Sequence, residues 1–264
     1  MALRVALLTL ESTASAAAAA RVIEETRQDV AGILLSDPMR GAARRAWGHL
    51  RRSGPRILPW LFVEFAAPRL SGRGGPVAAA AKARGLVPAM TADVNGAAAH
   101  AMLAALRPDL IVTCHFDQIL SAETIALARL GGINLHPSLL PKHRGPMPCF
   151  WAAAEGASRF GVTVHRLVPR IDAGAILAQR AVAVPAGASV STAARLLHDA
   201  GVGLLVETIE AIAAGQETAR EVVPLPYCPF PGRAALARAA RRGVRLAGWA
   251  DLCAARALGG TARP

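Results

Sequence analysis

The sequence is poor in aromatic residues and cysteines. Its 264 residues include four Trp, six Phe and one Tyr, few side chains for stacking on nucleic-acid bases. The four cysteines, at positions 114, 149, 228 and 253, are widely separated, with no Cys-x-x-Cys pair and no histidine at metal-ligand spacing. Neither a disulfide framework nor a zinc site is therefore indicated, and we expect no metal.

Long apolar runs are also missing. No stretch of about twenty apolar residues is free of charge, so no membrane-spanning helix is predicted. The start, MALRVALLTLEST, lacks the basic region, apolar stretch and cleavage site of a signal peptide. We expect a soluble, cytoplasmic protein without membrane contact. With 53% apolar residues, the chain is long enough for one large domain with a sizeable core.

The formal net charge of +12 comes mostly from arginine. Such a charge is typical of proteins that bind nucleic acid or phosphorylated partners. The alternative is compositional, because the chain is rich in Ala, Arg and Gly throughout. The charge alone leaves both interpretations open.

Short β-type runs alternate with Ala-rich segments of helical period, a pattern typical of a parallel sheet covered by helices. Strands are predicted at 4–10, 30–36, 110–114, 132–136, 161–168 and 175–184. Helices are predicted at 12–27, 76–84, 95–106, 121–129, 146–156 and 189–213. We therefore predict an α/β fold with a doubly wound, Rossmann-like, mainly parallel sheet.

Two segments lie outside this alternation. Residues 38–75 contain a basic helix, a proline break, an apolar helix and a Gly-rich loop, and we predict a helical insertion or lid. Residues 214–264 form a short C-terminal extension: a Pro-rich segment, VVPLPYCPFPGR, followed by a basic helix, AALARAARRGVRLAGW. We assign residues 1–213 to the main α/β domain and do not treat the extension as a separate domain.

The stretch GGINLHPSLLPKHRGPMP, residues 131–148, places an amide and an imidazole at the end of an apolar strand. Side chains alternate along a strand, so Asn134 and His136 share one face. Pro137 keeps His136 extended, and in open parallel sheets ligands bind beyond the carboxyl ends of strands. An imidazole exchanges protons near neutral pH, and an amide donates hydrogen bonds to oxygen without changing charge. For an isolated Asn-x-His pair, a simple capping role at the strand end would be the usual interpretation.

The surrounding sequence resembles the folate-dependent formyltransferase family, which includes glycinamide ribonucleotide, methionyl-tRNA and amino-sugar formyltransferases and the hydrolase domain of formyltetrahydrofolate dehydrogenase. The matching segments are NLHPSLLPKHRG (134–145), GVTVH (161–165) and IDAG (171–174). The resemblance extends over roughly residues 76–213. It implies a formyltransferase fold and a catalytic group of Asn134, His136 and Asp172.

The resemblance also implies 10-formyltetrahydrofolate as co-substrate and a neutral primary amine as acceptor. Asn134 and His136 would stabilise the oxyanion that develops when the amine attacks the formyl carbon. Asp172 would favour the protonated form of His136 and accept the amine's proton through water.

Two loops are implied to bind the folate. In the family they present backbone groups to the pterin and close over it, so the side chains at Gln118 and Arg170 are expected to vary without loss. The implied residues are Phe116, Asp117, Gln118, Ile119 and Leu120 in one loop and Val168, Pro169, Arg170 and Ile171 in the other.

Other polar residues near the motif receive weaker assignments. Arg144 either meets an acidic acceptor or fixes its loop, and the sequence does not decide between these roles. His115, His165 and His198 are expected to be structural. Cys114 and Cys149 lack a base partner that would indicate a nucleophile.

Departures from the family restrict the choice of acceptor. The loop LTLESTASAAAA replaces the Gly-rich loop that binds the acceptor's phosphate in the glycinamide enzyme. The segment after residue 213 is too short and too helical for the β-barrel of methionyl-tRNA formyltransferase, and no regulatory domain fits before the first strand. We expect an amine of a small molecule, such as an amino sugar or a metabolite. The alternatives are methionyl-tRNA, hydrolysis of formyltetrahydrofolate, and a non-enzymatic binding module. The oligomeric state is left unassigned.

Overall fold

The computed structural model describes residues 2–37, 42–71, 74–157 and 159–258. In this part of the chain, seven strands form one sheet in the order β3-β2-β1-β4-β5-β6-β7. The strands are β1 (Arg4–Thr9), β2 (Asp29–Ser36), β3 (Ala89–Thr91), β4 (Leu110–Cys114), β5 (Gly132–His136), β6 (Phe160–Arg166) and β7 (Ile176–Val182). Strands β1 to β5 pair in parallel, while β6 and β7 are antiparallel. The prediction of a mainly parallel, Rossmann-like sheet is confirmed.

Helices cover both faces of the sheet. They are α1 (Ala16–Glu25), α2 (Ala42–Ser53), α3 (Leu58–Leu61), α4 (Pro76–Ala83), α5 (Ala97–Leu106), α6 (Ala122–Ile125), α7 (Pro148–Glu155), α8 (Val190–Ala213), α9 (Arg233–Arg241) and α10 (Trp249–Leu258). Helices α1, α4 and α8 share one apolar cluster with the sheet, and α5 contributes to a second cluster. All five residues of β4 are buried, as expected of a central parallel strand.

The six predicted strands are present, each with ends within two residues of the prediction. The seventh, β3, was missed because it has three residues and pairs only with β2 at the edge of the sheet. The predicted helix at 121–129 forms only over Ala122–Ile125. Periodicity does not reveal so short a strand or so early an end to a helix.

The prediction of one basic helix at 234–249 is wrong. Helix α9 ends at Arg241, and Gly243 adopts a left-handed φ of 82°, the conformation that commonly follows a helix end. The chain then runs past the start of α8, where the amides of Val190 and Ser191 donate to the carbonyls of Arg245 and Leu246. Helix α10 comes next. The run of Ala and Arg hid this break, because both residues favour helices.

The described part of the insertion has the expected order. A basic helix, α2, is followed by Gly54 at a φ of 72°, by Pro55 and by helical turns to residue 71. The segment packs on the C-terminal extension: Ser53 Oγ donates to the carbonyl of Pro231 at 2.7 Å. Residues 38–41, 72 and 73 lie outside the described residues, and the domain boundary at 213 stays a prediction.

The described helices include none that is both long enough and apolar enough to cross a membrane.

Helix α8 allows a matched test of how the sheet and its helices pack. A Cβ on Gly201 would lie 2.8 Å from Leu135 Cδ1 and 2.9 Å from Val162 Cγ2, whereas a Cβ on Gly203 would meet only Glu207 Oε1 at 4.0 Å. Alanine gains helix propensity at both positions, about 1 kcal/mol. We expect Gly203→Ala to raise the free energy of unfolding. Gly201→Ala is expected to lower it by roughly 1–3 kcal/mol through overpacking against β5.

Chemical denaturation of both variants and the wild type measures these differences. Equal stabilisation by the two substitutions would contradict the close packing of α8 on the strand that carries Asn134 and His136.

Candidate active site

The amide of Asn134 is oriented by its neighbours at the end of β5. Thr113 Oγ1, on β4, donates to Asn134 Oδ1 at 2.7 Å, and Asn134 Nδ2 lies 3.0 Å from Nε2 of His165. Because the amide oxygen is occupied by a hydroxyl donor, the nitrogen must face His165. One of its two hydrogens remains for another acceptor. Asn134 is therefore a fixed hydrogen-bond donor.

His165 completes this arrangement from β6, where it pairs directly across from Asn134. Its Nδ1 lies 2.9 Å from the carbonyl of Arg166, so Nδ1 carries the hydrogen and Nε2 accepts from Asn134. The expectation of a structural role for His165 stays a prediction, and its contact with Asn134 specifies that role as positioning the amide. The signal was in the sequence, because His165 ends the GVTVH segment.

Asp172 joins the two histidines. Its Oδ1 lies 3.6 Å from Nδ1 of His136 and 3.5 Å from Nε2 of His165, and its Oδ2 accepts from the amide of Gly145 at 2.8 Å. Asp172 has a left-handed φ of 44°, which turns its carboxylate back toward the strand ends. Asn134, His136 and Asp172 thus lie together around His165, as the family resemblance implied.

Arg144 holds this loop in place. Its guanidinium is buried and donates to the carbonyls of Ile171, Asp172 and Leu225. Since its identified partners are backbone oxygens, the structure favours the second of its two predicted roles, fixing the loop.

Burial and charge oppose each other at His136 and Asp172. Burial lowers the pKa of His136 below its ordinary value, and the carboxylate of Asp172 offsets this only in part. Asp172 therefore favours the protonated form as expected, but desolvation outweighs it. For Asp172, burial would raise the pKa. The nearby His136 and His165 and the hydrogen bond from the Gly145 amide instead bring the pKa of Asp172 below its usual range. The pair is thus a carboxylate beside an imidazole that resists protonation.

These side chains open into a cavity of about 840 Å³. Seven of the nine predicted folate residues line it, and Pro169 and Arg170 are exposed residues outside its lining. The seven are Phe116, Asp117, Gln118, Ile119, Leu120, Val168 and Ile171. The described residues contain no group of three or more His, Cys, Asp or Glu suited to a metal ion.

The side chain of Gln118 has a structural role that the sequence did not reveal. Its Oε1 accepts from the amide of Val94 at 2.7 Å, and its Nε2 donates to Ser36 Oγ at 3.0 Å. Gln118 thereby ties its loop to β2 and to the segment before α5. The expectation that Gln118 varies without loss is inconsistent with these buried contacts, because removing the side chain would leave Val94 and Ser36 without their partner.

The insertion and the extension form one wall of the cavity. Trp60 and Phe65 from the insertion pack edge-on, and Phe230 from the extension packs against Trp60. His115 and His198, expected to be structural, also line the cavity, with ring centroids 5.2 Å apart. No motif marked this wall, because its residues come from segments far apart in the chain.

Glu64 is a buried carboxyl group in the same wall. Its two oxygens accept from Ser191 Oγ on α8 and from the amide of Ala14 after β1. Burial raises its pKa from 4.5 to about 7, although both hydrogen bonds oppose the shift. Glu64 therefore ties the insertion to α1 and α8.

The comparisons with known proteins agree on one family. A model of the family described as "Formyl transferase" matches residues 67–209. Methionyl-tRNA formyltransferase of Roseiflexus castenholzii is 41% identical over 155 residues, which cover 57% of this chain and 50% of that protein. The chain thus spans about half the length of the curated relatives it matches.

Solved structures share the fold at low identity. Glycinamide ribonucleotide transformylase 1 from Symbiobacterium toebii aligns with a TM-score of 0.61 and 18% identity, covering 84% of this chain and 95% of that one. A 4-N formyltransferase from Francisella tularensis aligns with a TM-score of 0.56 and 16% identity, covering 86% of this chain and 76% of that one.

The raised pKa of Glu64 predicts a pH dependence of stability. Its folded pKa, about 7, lies above the ordinary 4.5, so the folded state holds the proton more tightly than the unfolded state. The contribution of Glu64 to the free energy of unfolding is fully present below about pH 4.5 and is lost as the pH rises through 7. We expect the unfolding free energy of wild type, relative to Glu64→Gln, to fall between these pH values.

Denaturant titrations at several pH values measure this difference. Burial lowers the pKa of His115 to about 4 and that of His198 to about 3. These histidines make the unfolding free energy fall on acidification, but they do so equally in wild type and in Glu64→Gln, so their effect cancels in the difference. The exposed Glu24→Gln serves as control. A pH-independent difference would show that Glu64 titrates as an exposed carboxyl does.

Proposed function

The chain belongs to the formyl transferase family, and we propose that it transfers the formyl group of 10-formyltetrahydrofolate to a primary amine of a small molecule. The observation that carries the proposal is the fixed donor of Asn134 beside the Asp172 carboxylate and two imidazoles, at the edge of a cavity of about 840 Å³. This combination suits acyl transfer to nitrogen, which needs an oxyanion stabiliser and a proton acceptor.

The cavity fits the co-substrate. It is of the size that binds small molecules, and it is lined mainly by apolar and aromatic side chains, including Phe116, Leu120 and Val168. When bound, 10-formyltetrahydrofolate supplies the electrophilic formyl carbon and an amine leaving group.

The residues around the cavity have complementary roles in the proposed reaction. Asn134 directs its free N–H at the formyl oxygen as negative charge develops there. His136 and Asp172 take the proton that the acceptor nitrogen loses when its bond to carbon forms. The same pair returns the proton to the folate nitrogen as the old carbon–nitrogen bond breaks. His165 and Arg144 keep Asn134 and Asp172 in place.

An assay with and without amines separates transfer from the alternative hydrolysis. The protein is incubated with 10-formyltetrahydrofolate and a panel of small amines, and tetrahydrofolate, formate and formylated amine are followed. Amine-dependent release of tetrahydrofolate without formate supports transfer. Formate release at a rate that does not depend on the amines supports a hydrolase.

Removal of the oxyanion donor should affect turnover far more than binding. For Asn134→Ala we expect kcat to fall by roughly 10²–10³-fold, the loss observed when one such donor is removed. The affinity for a non-reactive folate analogue should stay nearly unchanged, because the interaction strengthens only in the transition state. Steady-state kinetics and a binding titration measure the two quantities.

The same measurement with His136→Ala tests the imidazole. His100→Ala is a suitable control, since His100 contacts Thr124 and does not line the cavity. Similar losses in turnover and folate affinity would make Asn134 or His136 a binding residue instead.

A second candidate acceptor, an aminoacyl-tRNA, is favoured by one surface. Residues 42–63 and 222–250 each contain five arginines and no acidic residue. The structure packs α2 against α9, with the ring of His49 4.5 Å from that of Phe230. Both of these rings line the cavity. Two basic segments that the sequence left unconnected therefore meet beside the proposed site.

Salt dependence tests this candidate. With a small-molecule acceptor, we expect weak tRNA binding that is indifferent to aminoacylation. An acceptor tRNA held by six or more phosphate contacts would instead lose roughly a thousandfold in affinity between 50 and 200 mM salt.

The contribution of the arginine surface is measured with Arg52→Glu and Arg233→Glu, and Arg27→Glu serves as an exposed control. Submicromolar binding that prefers aminoacylated tRNA and is lost in the first two variants would overturn the small-molecule assignment.

A further inference from the structure

Two residues that line the cavity each carry a buried polar atom without a hydrogen-bond partner among the described residues: Nε1 of Trp60 and Nε2 of His198. A buried polar group left unpaired is costly, and such groups are rare. Because both atoms belong to residues that line one cavity, a ligand bound there is the candidate for the missing partners.

The two atoms lie on elements joined by Glu64. Trp60 precedes Glu64 by one helical turn, and His198 follows Ser191 by two turns on α8, while Ser191 Oγ donates to Glu64. Residues spaced by one turn share a helix face. Trp60 and His198 therefore belong to the part of the cavity between the insertion and α8, where the ring of His198 also lies 5.2 Å from that of His115, the residue before the predicted folate loop at 116–120.

The hydrogen-bonding character of each atom is determined. His198 Nδ1 lies 2.8 Å from the carbonyl of Ala194, so Nδ1 carries the hydrogen and Nε2 offers a lone pair. Burial and the nearby His115 lower the pKa of His198 to about 3, which keeps Nε2 an acceptor at neutral pH. The indole Nε1 of Trp60 is a donor only. The missing partners are thus one donor and one acceptor.

The charge of the cavity restricts the ligand further. Three carboxyl residues, Glu64, Asp117 and Asp172, line it, and its lining includes no Lys or Arg among the described residues. A phosphate or carboxylate placed there would be desolvated without a cationic partner. Aromatic rings of Trp60, Phe65 and Phe230 instead offer apolar contact.

We propose that the acceptor amine has an apolar body without phosphate or carboxylate and binds between Trp60 and His198. His198 Nε2 accepts a hydrogen bond from an N–H or O–H of the acceptor, and Trp60 Nε1 donates to an oxygen of it. This inference rests on the proposed formyl transfer and specifies the acceptor class. Trp60 and His198 are then specificity-determining residues.

The test uses two matched pairs of amine probes: phenylalaninamide with phenylalanine, and glucosamine with glucosamine 6-phosphate. Binding of each probe to the full chain is measured by calorimetry, with and without a non-reactive folate analogue. We expect phenylalaninamide to bind at least about tenfold more tightly than phenylalanine, and glucosamine more tightly than its phosphate. The inference is overturned if phenylalanine or glucosamine 6-phosphate binds more tightly than its partner. It is also overturned if neither phenylalaninamide nor glucosamine binds.

Two substitutions test the polar contacts. Trp60→Phe keeps a ring and removes the N–H, and His198→Phe removes the lone pair; each should weaken phenylalaninamide binding roughly tenfold, the loss typical of one hydrogen bond. Trp249→Phe, at an exposed position, is the control. If His198→Phe does not fold by circular dichroism, Trp60→Phe decides. Unchanged phenylalaninamide affinity in a folded variant overturns its assigned contact.

The folate analogue separates this inference from the proposed function. If wild type does not bind the folate analogue, formyl transfer is refuted. The acceptor class is still tested in that case, because amine binding is also measured without folate. Analogue binding combined with a preference for anionic amines would refute the acceptor class alone.

Discussion

The candidate site depends on one buried carboxylate, that of Asp172. Three chain segments meet at it. The loop after β5 contacts it through Gly145, and the strand ends contact it through His136 and His165. The extension is connected to it by Arg144, which donates to the carbonyls of Asp172 and Leu225. A buried carboxylate persists only where donors replace its lost hydration. The Gly145 amide supplies such a donor to Asp172 Oδ2, so the geometry of this loop and the ionisation of Asp172 stabilise each other.

This dependence explains why the extension packs so closely on the loop. A Cβ on Gly145 would lie 2.2 Å from the carbonyl oxygen of Cys228, and the Cys228 amide donates to the Arg144 carbonyl at 2.8 Å. The glycine allows the backbone of the extension to approach the loop that presents its amide to Asp172. A segment that is proline-rich and irregular in sequence therefore supports the site directly.

The electrostatics of the surface and of the cavity are opposite in character. Arginines give the chain a net charge of +12, yet the described lining of the cavity carries carboxyl groups and imidazoles whose pKa values are lowered by burial. The two regions suit different partners. Exposed arginines attract polyanions at long range, whereas a cavity whose described lining has carboxyl groups and no Lys or Arg disfavours buried anions.

The sequence by itself determined six of the seven described strands and pointed to Asn134 and His136 as candidate site residues. Apolar runs of four to eight residues and helical periods are local signals, so β4 and β5 were placed correctly, and the NLHP segment marked Asn134 and His136. Only the tertiary structure decided the rest. It made His165 a partner of Asn134, gave Gln118 and Arg144 their backbone contacts, and brought Trp60, Glu64 and His198 into one wall. It also ended α9 at Arg241, shortly before Gly243, a stop signal that lies among helix-favouring residues. The reason is physical: periodicity reports which face of a segment is buried, but contacts between residues a hundred positions apart depend on how the segments pack.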